Sequence, residues 1–307
     1  MKVTLPVAAA LAVPFLQSAS AAILIQENFN YAAGAVNGVA TNATGLSGNW
    51  SAGAFAAGAT TTATIDPASL AFAGHFASSG GSLRLANSGP GFGEGGASAS
   101  VGAALTGSST LYSSGIMSFA APGGSYFNDW VVEQRFNTGA AGTFSTSSGR
   151  NIIRAFGSGS SAAGKGGVGS DNGEVVQGTG TNSPGTNYLL VTAYTVSGAN
   201  VTGATLYTFD TTAYANYLAA ATPATAEALL GTHALFSLTD SSSRALSNFA
   251  FLQYTIQGGP IGSYDDYRLG TSITDVVNVV PEPSAAMLCT ICSLGMVLRR
   301  KRSSAAA

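Results

Sequence analysis

Three features of this 307-residue sequence predict an all-β chain folded as an antiparallel β-sandwich. Short runs rich in aromatic and β-branched residues recur through the middle of the chain, separated by clusters of Gly, Ser, Asn and Pro. In one run, Trp130, Val132, Gln134 and Phe136 fall on one side of a strand and Val131, Glu133 and Arg135 on the other, the pattern of a half-buried sheet. The third feature is composition. Only 8% of residues are charged, yet 46% are hydrophobic and 15 Phe, 11 Tyr and 2 Trp are spread along the chain, so there is apolar surface enough for a core.

In chain order, residues 1–22 read as a signal helix: Lys2, an apolar stretch over 3–16, and small residues at Ala19 and Ala21 that suit cleavage by a signal peptidase. Strands are predicted over residues 23–29, 82–86, 111–119, 130–136, 151–156, 188–194, 205–209, 234–238, 249–256 and 264–269. The one helical candidate spans 214–230. It is Ala-rich and broken by Pro223, so it predicts at most two short helices on a connection. The Gly-Ser stretches 88–100 and 157–170 lie between strands and read as long loops, so residues 23–280 form one exported domain.

The C-terminal element begins at Pro281, Glu282 and Pro283, where the prolines hold the chain extended. An apolar run of 15 residues follows over 284–298. At about 1.5 Å per residue this is a single membrane helix that barely crosses a hydrocarbon core of about 30 Å. Arg299, Arg300, Lys301 and Arg302 then form a basic membrane stop on the cytoplasmic side. With the ends set aside, the body carries seven basic against thirteen acidic residues and no basic cluster, which excludes a nucleic-acid partner. Both cysteines, Cys289 and Cys292, lie in the tail, so the body has neither disulfide nor thiolate chemistry.

This tail resembles the PEP-CTERM proteins of Gram-negative bacteria. The resemblance implies recognition and cleavage around Pro281-Glu282-Pro283 by an exosortase, a membrane-embedded cysteine transpeptidase, a transient inner-membrane anchor over 284–298, and a final place at the cell surface or outside the cell. The run Glu27-Asn28-Phe29-Asn30-Tyr31-Ala32-Ala33-Gly34 with Gly48-Asn49-Trp50 is similar to the opening of concanavalin A-like jelly-roll domains. Residues 251–256, followed by Tyr264-Asp265-Asp266-Tyr267-Arg268-Leu269-Gly270, resemble their closing strands. Residues 281–307 then form the sorting tail.

Jelly rolls of this type include glycoside hydrolases with paired acids on one strand. Here Asp129 and Glu133 are present but Val131 stands between them, and four residues along a strand is about 13 Å, against about 5 to 5.5 Å for a retaining pair. No catalytic residue is assigned, and the strand reads as structural with one exposed acid at each end. Asp265, Asp266 and Arg268 are candidate contacts for a sugar or a calcium ion, and an edge strand of alternating charge accounts for them equally. Trp50 is a candidate sugar-stacking residue or a core aromatic. The loop Asp171-Asn172-Gly173-Glu174 lacks EF-hand spacing, and His75 and His233 are too few for a three-histidine zinc site. No cofactor is expected, calcium being the one candidate. The sequence therefore predicts a non-enzymatic exported protein whose jelly roll binds exopolysaccharide. Its alternatives are a purely structural matrix component and a carbohydrate-active enzyme.

Overall fold

The computed structural model describes residues 22–54, 60–76, 80–88, 94–105, 108–120, 129–139, 147–156, 164–169, 176–257 and 261–279. The signal segment 1–21, the loop 171–174 and the sorting tail with its membrane helix, Pro281, Glu282, Pro283 and the basic stop lie outside these residues. Among the described residues no helix is long and apolar enough to cross a membrane.

Along the chain run β1 (Ile23–Glu27), β2 (Gly34–Ala35), β3 (Leu46–Ala54), β4 (Thr60–Asp66), β5 (Ser82–Ser88) and β6 (Glu94–Val101). Then come β7 (Thr110–Ala120), β8 (Asp129–Asn137), β9 (Ser147–Phe156), β10 (Gly164–Gly169), β11 (Val176–Asn182), β12 (Tyr188–Ser197) and β13 (Asn200–Phe209). Two helices, α1 (Thr211–Ala220) and α2 (Ala226–His233), precede β14 (Phe236–Asp240), β15 (Arg244–Ala245), β16 (Phe251–Gln257) and β17 (Ile261–Gly270), and α3 (Ile273–Val276) closes the series. The predicted helix is thus two helices, parted around Pro223.

The larger sheet has the order β14-β13-β12-β7-β17-β5-β4-β2, with β1 also on β17 and β15 on β13; the smaller has the order β11-β10-β9-β8-β16-β6-β3. All pairings among the described strands are antiparallel. The chain passes repeatedly from one sheet to the other, as in a jelly roll, so strands adjacent in a sheet are often distant in sequence. The predicted fold class, an antiparallel β-sandwich, is the one found.

Alternation decides what lies between the sheets. Leu83 and Leu85 of β5, Met117 and Phe119 of β7, and Tyr264, Tyr267 and Leu269 of β17 share one core with Val132 and Phe136 of β8 and Leu252, Tyr254 and Ile256 of β16. Each such burial contributes about 1.5–3 kcal/mol before entropy is counted. The opposite face of the larger sheet is apolar as well. Ile116, Leu189, Val191 and Phe209 pack there beneath Tyr214, Tyr217 and Leu230 of α1 and α2 and Ile273 and Val276 of α3. Asp210 caps α1 by accepting the Ala213 N–H at 2.7 Å, and a Ser272–Asp275 capping box starts α3.

Two expectations are corrected. The stretches read as loops contain β6 and β10, because close packing can select small residues in a strand just as a turn can. A Cβ on Gly96 would run into the Tyr254 carbonyl of neighbouring β16, and one on Gly95 into the Thr61 side chain. The second correction concerns the closing strand, which is not at an edge. β17 pairs with β7 on one side, and on the other first with β5 and then with β1.

Gly96→Ala should therefore destabilise the protein by about 1–3 kcal/mol in urea unfolding, although Ala is the less flexible residue. A variant as stable as the parent would contradict this close approach.

Candidate functional site

Inward positions of β8 and β16 are taken by Val132, Gln134, Phe136, Leu252, Tyr254 and Ile256, so their outward positions are Glu133, Arg135 and Asn137 on β8 and Gln253 and Thr255 on β16. The register sets Arg135 opposite Gln253 and Glu133 opposite Thr255. Ser98 of β6 faces Gln253 from the other side. These six residues form one continuous polar row on the outer face of the smaller sheet, and all are buried.

The row is a connected network. Arg135 Nε donates to Gln253 Oε1 at 2.7 Å, and Asn137 Nδ2 donates to the same oxygen at 2.9 Å. Arg135 Nη1 pairs with Glu133 Oε2 at 3.2 Å, and Thr255 Oγ1 donates to that carboxylate oxygen at 3.4 Å. The guanidinium thus bridges a carboxylate and an amide, and its charge is matched by Glu133. Glu133, expected as an exposed acid, is only 1% exposed because its partners hold it against the sheet. Asp129 starts β8 on the same face four positions away, and its side chain lies outside what the structure describes.

The acids predicted as ligand contacts lie elsewhere, on the helix side of the larger sheet. A β-bulge between Asp265 and Arg268 puts Asp266 at φ 42°, a left-handed conformation that Asp tolerates better than most residues. Asp265 Oδ2 accepts from Ser69 Oγ at 2.5 Å and from the Leu70 N–H at 2.8 Å, pinning the incoming loop. Asp266 Oδ1 accepts from Arg268 Nε at 3.0 Å, its Oδ2 stands 3.4 Å from His75 Nε2, and the Arg268 guanidinium lies 3.6 Å over the Phe76 ring. Burial, with Arg268 adding to it, pushes the His75 imidazole down to about 3, so it is neutral. Burial raises Asp265 to about 6 even though three donors oppose the shift. These residues hold internal partners rather than a sugar. Among the described residues no group of three or more His, Cys, Asp or Glu is placed to hold a metal ion.

Trp50 also needs correction as a sugar contact. It is 1% exposed, packed on Phe29 at 5.7 Å and Tyr254 at 6.1 Å, with Nε1 donating to Tyr31 Oη at 3.2 Å. Tyr31 in turn donates to Glu27 Oε2 at 2.7 Å, and Glu27 Oε1 accepts the Phe29 N–H at 2.6 Å. The opening motif is therefore a structural relay around a carboxyl that burial raises to about 7. A further cavity, of about 420 Å³, opens beside Val101, Leu105, Leu246 and Phe249, with Asn200 and Ser247 as its polar side chains. It offers fewer convergent hydrogen-bonding groups than the row on β8 and β16.

Sequence reasoning found Glu133 but not its network. The signal was present in the alternation, where Glu133, Arg135 and Asn137 interleave with core residues. What was missing was the identity of the neighbouring strand, which brings Gln253 and Thr255 alongside from more than a hundred residues away.

No family model matches the chain, and neither does any curated protein. Among solved structures it is similar to an alginate lyase of polysaccharide lyase family 14 from Aplysia kurodai (9% identity, 63% of this chain and 84% of that one, TM-score 0.37). It is also similar to an endo-β-1,4-glucuronan lyase from the fungus Trichoderma reesei (10% identity, 71% and 90%, TM-score 0.39) and to lectin II from Ulex europaeus (10% identity, 71% and 97%, TM-score 0.35). A similarity of this extent says nothing of ligand or activity.

The Glu27 relay gives a pH prediction. Its carboxyl titrates near 4.5 when unfolded and near 7 when folded, so between these values the unfolded chain binds fewer protons, and the stability Glu27 confers falls as pH rises. Glu27→Gln cannot titrate. Its melting temperature relative to the parent should climb from pH 4.5 to pH 7, by the equivalent of up to about 3 kcal/mol, and level off above. His75 and Asp265 are common to both proteins and largely drop out of that difference.

Proposed function

We propose that this chain is an exported, non-catalytic protein that binds a neutral polysaccharide, with the buried polar row of its smaller sheet holding the strands beneath the binding face. One observation carries the reading: the outward positions of β8 and β16, Glu133, Arg135, Asn137, Gln253 and Thr255, form a single hydrogen-bonded row where a buried sheet face built only for packing would carry apolar side chains. Buried polar groups cost stability unless fully partnered, which favours a role for them beyond packing. The planar amides, the guanidinium and the hydroxyl in one line tie β8 to β16 and fix the strands that would carry a glycan. The Arg135–Glu133 pair leaves the row without net charge, which suits a neutral polymer.

Binding without turnover is the reading for two reasons. Glu133 is the only carboxylate on this row whose side chain is described, and it is held by Arg135 and Thr255 rather than free to move a proton. The signal segment and the Pro281-Glu282-Pro283 tail support export, passage through a signal peptidase, and exosortase sorting from a transient inner-membrane anchor over 284–298.

The purified full-length chain should bind saturably to at least one of xylan, xyloglucan, galactomannan, mixed-linkage β-glucan or dextran, with no release of reducing ends. Loss of binding in Arg135→Met with an unchanged circular dichroism spectrum would tie binding to the face that this row supports. Release of reducing ends would make the protein an enzyme, and silence across the panel together with self-assembly would make it a structural component. For sorting, Glu282→Ala should leave the protein in the membrane fraction at full length, whereas the parent is shortened and released; identical fractionation of the two would overturn the sorting assignment.

A further inference from the structure

The cavity at the end of the sandwich belongs neither to the core nor to the polar row. Its volume of about 420 Å³ falls within the range of about 300–1,000 Å³ of sites that hold a whole small molecule. It stands where two strands of the smaller sheet meet the turn between β12 and β13: Val101 closes β6, Ala250 precedes β16, and Ala199 and Asn200 belong to the turn. β16, which the polar row ties to β8, therefore starts at the wall of the cavity.

Backbone bonds hold the walls in place. The Val101 N–H donates to the Ala250 carbonyl at 2.8 Å, the Leu246 N–H donates to the Ala199 carbonyl at 2.8 Å, and Asn200 pairs with Ala245 where β13 meets β15. Phe249 backs the space, with its ring centroid 4.5 Å from that of Phe136 and 5.9 Å from that of Tyr194, so the core fixes it. Walls already in place spare the cost of ordering them on binding.

The lining decides what can enter. Val101, Leu105, Leu246 and four alanines present methyl and methylene groups, and among the described residues the polar side chains are Asn200 and Ser247, both exposed, with no charged one. A bare sugar ring would give up more bonds to water than one amide and one hydroxyl replace. A fatty-acid carboxylate or a phosphate headgroup would meet no countercharge. A group that is apolar at its tip and neutral and polar at its base suits both the walls and the rim.

Resting on the carbohydrate reading above, we propose that this cavity binds an O-acetylated sugar of the polysaccharide, methyl end first, and so makes the protein selective for acetylated over unsubstituted chains. The acetyl methyl packs on Leu105, Leu246 and Phe249. The ester carbonyl stays at the rim and accepts from the Asn200 amide, a neutral donor for a neutral acceptor.

The test titrates methyl β-xyloside and its tri-O-acetyl derivative into the full-length protein by calorimetry, and compares each polymer of the panel before and after partial O-acetylation. The acetylated xyloside should bind saturably, about tenfold more tightly than the bare one, and a bound polymer should gain about as much on acetylation, the worth of one buried methyl and one hydrogen bond. Ala245→Phe and Ala103→Leu fill the space from two walls. Ala245 has an ordinary extended backbone (φ −65°, ψ 137°) that a larger residue adopts. Both variants should abolish the preference for acetylated ligand and leave affinity for the unsubstituted polymer and the unfolding midpoint unchanged, whereas damage to the fold would weaken both forms of the polymer together. Asn200→Ala should reduce the preference in part. Equal affinity of the parent for the two xylosides, or a preference that survives both filling variants, would overturn the proposal and leave glycan binding in place. Lower midpoints in both filling variants would show the space to be taken by the protein's own chain and overturn it too. A parent that binds no polymer of the panel in either form fails the carbohydrate reading itself, while the xyloside pair still decides on the cavity.

Discussion

The bulge in β17 is the constraint from which most of this architecture follows. At Asp265 and Asp266 the strand exchanges β5 for β1 as its neighbour while β7 continues along the other edge, so one irregular step joins three strands that are far apart in sequence. The same step keeps Tyr264 and Tyr267 both directed into the sandwich although they are an odd number of residues apart, and sends Asp265 and Arg268 to the helix side. Asp265 then holds the loop at Ser69 and Leu70, and Asp266 gathers Arg268 and His75. Tyr214 of α1 meets His75 Nδ1 at 3.3 Å and accepts the Asn278 N–H at 3.1 Å. Sandwich, helical layer and the segment at Asn278 therefore share one junction.

Two buried polar groups of similar composition have different physical purposes. The junction around Asp266 joins loop, helix and strand, and its charges lie between two layers of the protein. The row along β8 and β16 joins adjacent strands of one sheet and sits on that sheet's outer face, while the three helices pack on the other sheet. In the first group Asp265 is engaged by three donors of the protein itself; in the second, the Gln253 oxygen is engaged by two. Both groups hold buried atoms without a hydrogen-bond partner, His75 Nε2 and Asp266 Oδ2 in the first and Gln253 Nε2 in the second, so what separates them is their place in the fold.

The aromatic and β-branched runs made most of the strands legible, and Pro223 marked the break between α1 and α2. Strands built from small residues were not legible. In β6, Glu-Gly-Gly-Ala-Ser-Ala-Ser-Val has the composition of a loop, and only the proximity of Tyr254 and Thr61 explains why its glycines belong in a sheet. Trp50 shows the converse difficulty. A Trp beside Asn and Gly reads equally as a surface ring or a core ring, and it is the Glu27–Tyr31 relay that draws its indole inward.

By itself the sequence determined the fold class, the alternating faces of β8 and the identity of the side chains available on each, because strand periodicity and the apolar content needed for a core are local properties. Which strand lies beside which was decided only by the tertiary structure. A jelly roll pairs distant segments, and whether an acid is exposed, buried or partnered depends on the segment brought next to it. Asp265 and Glu133 are both carboxylates on predicted strands. Contact with Ser69 and Leu70 made the first a structural anchor, and contact with Arg135 and Thr255 made the second part of the candidate binding face.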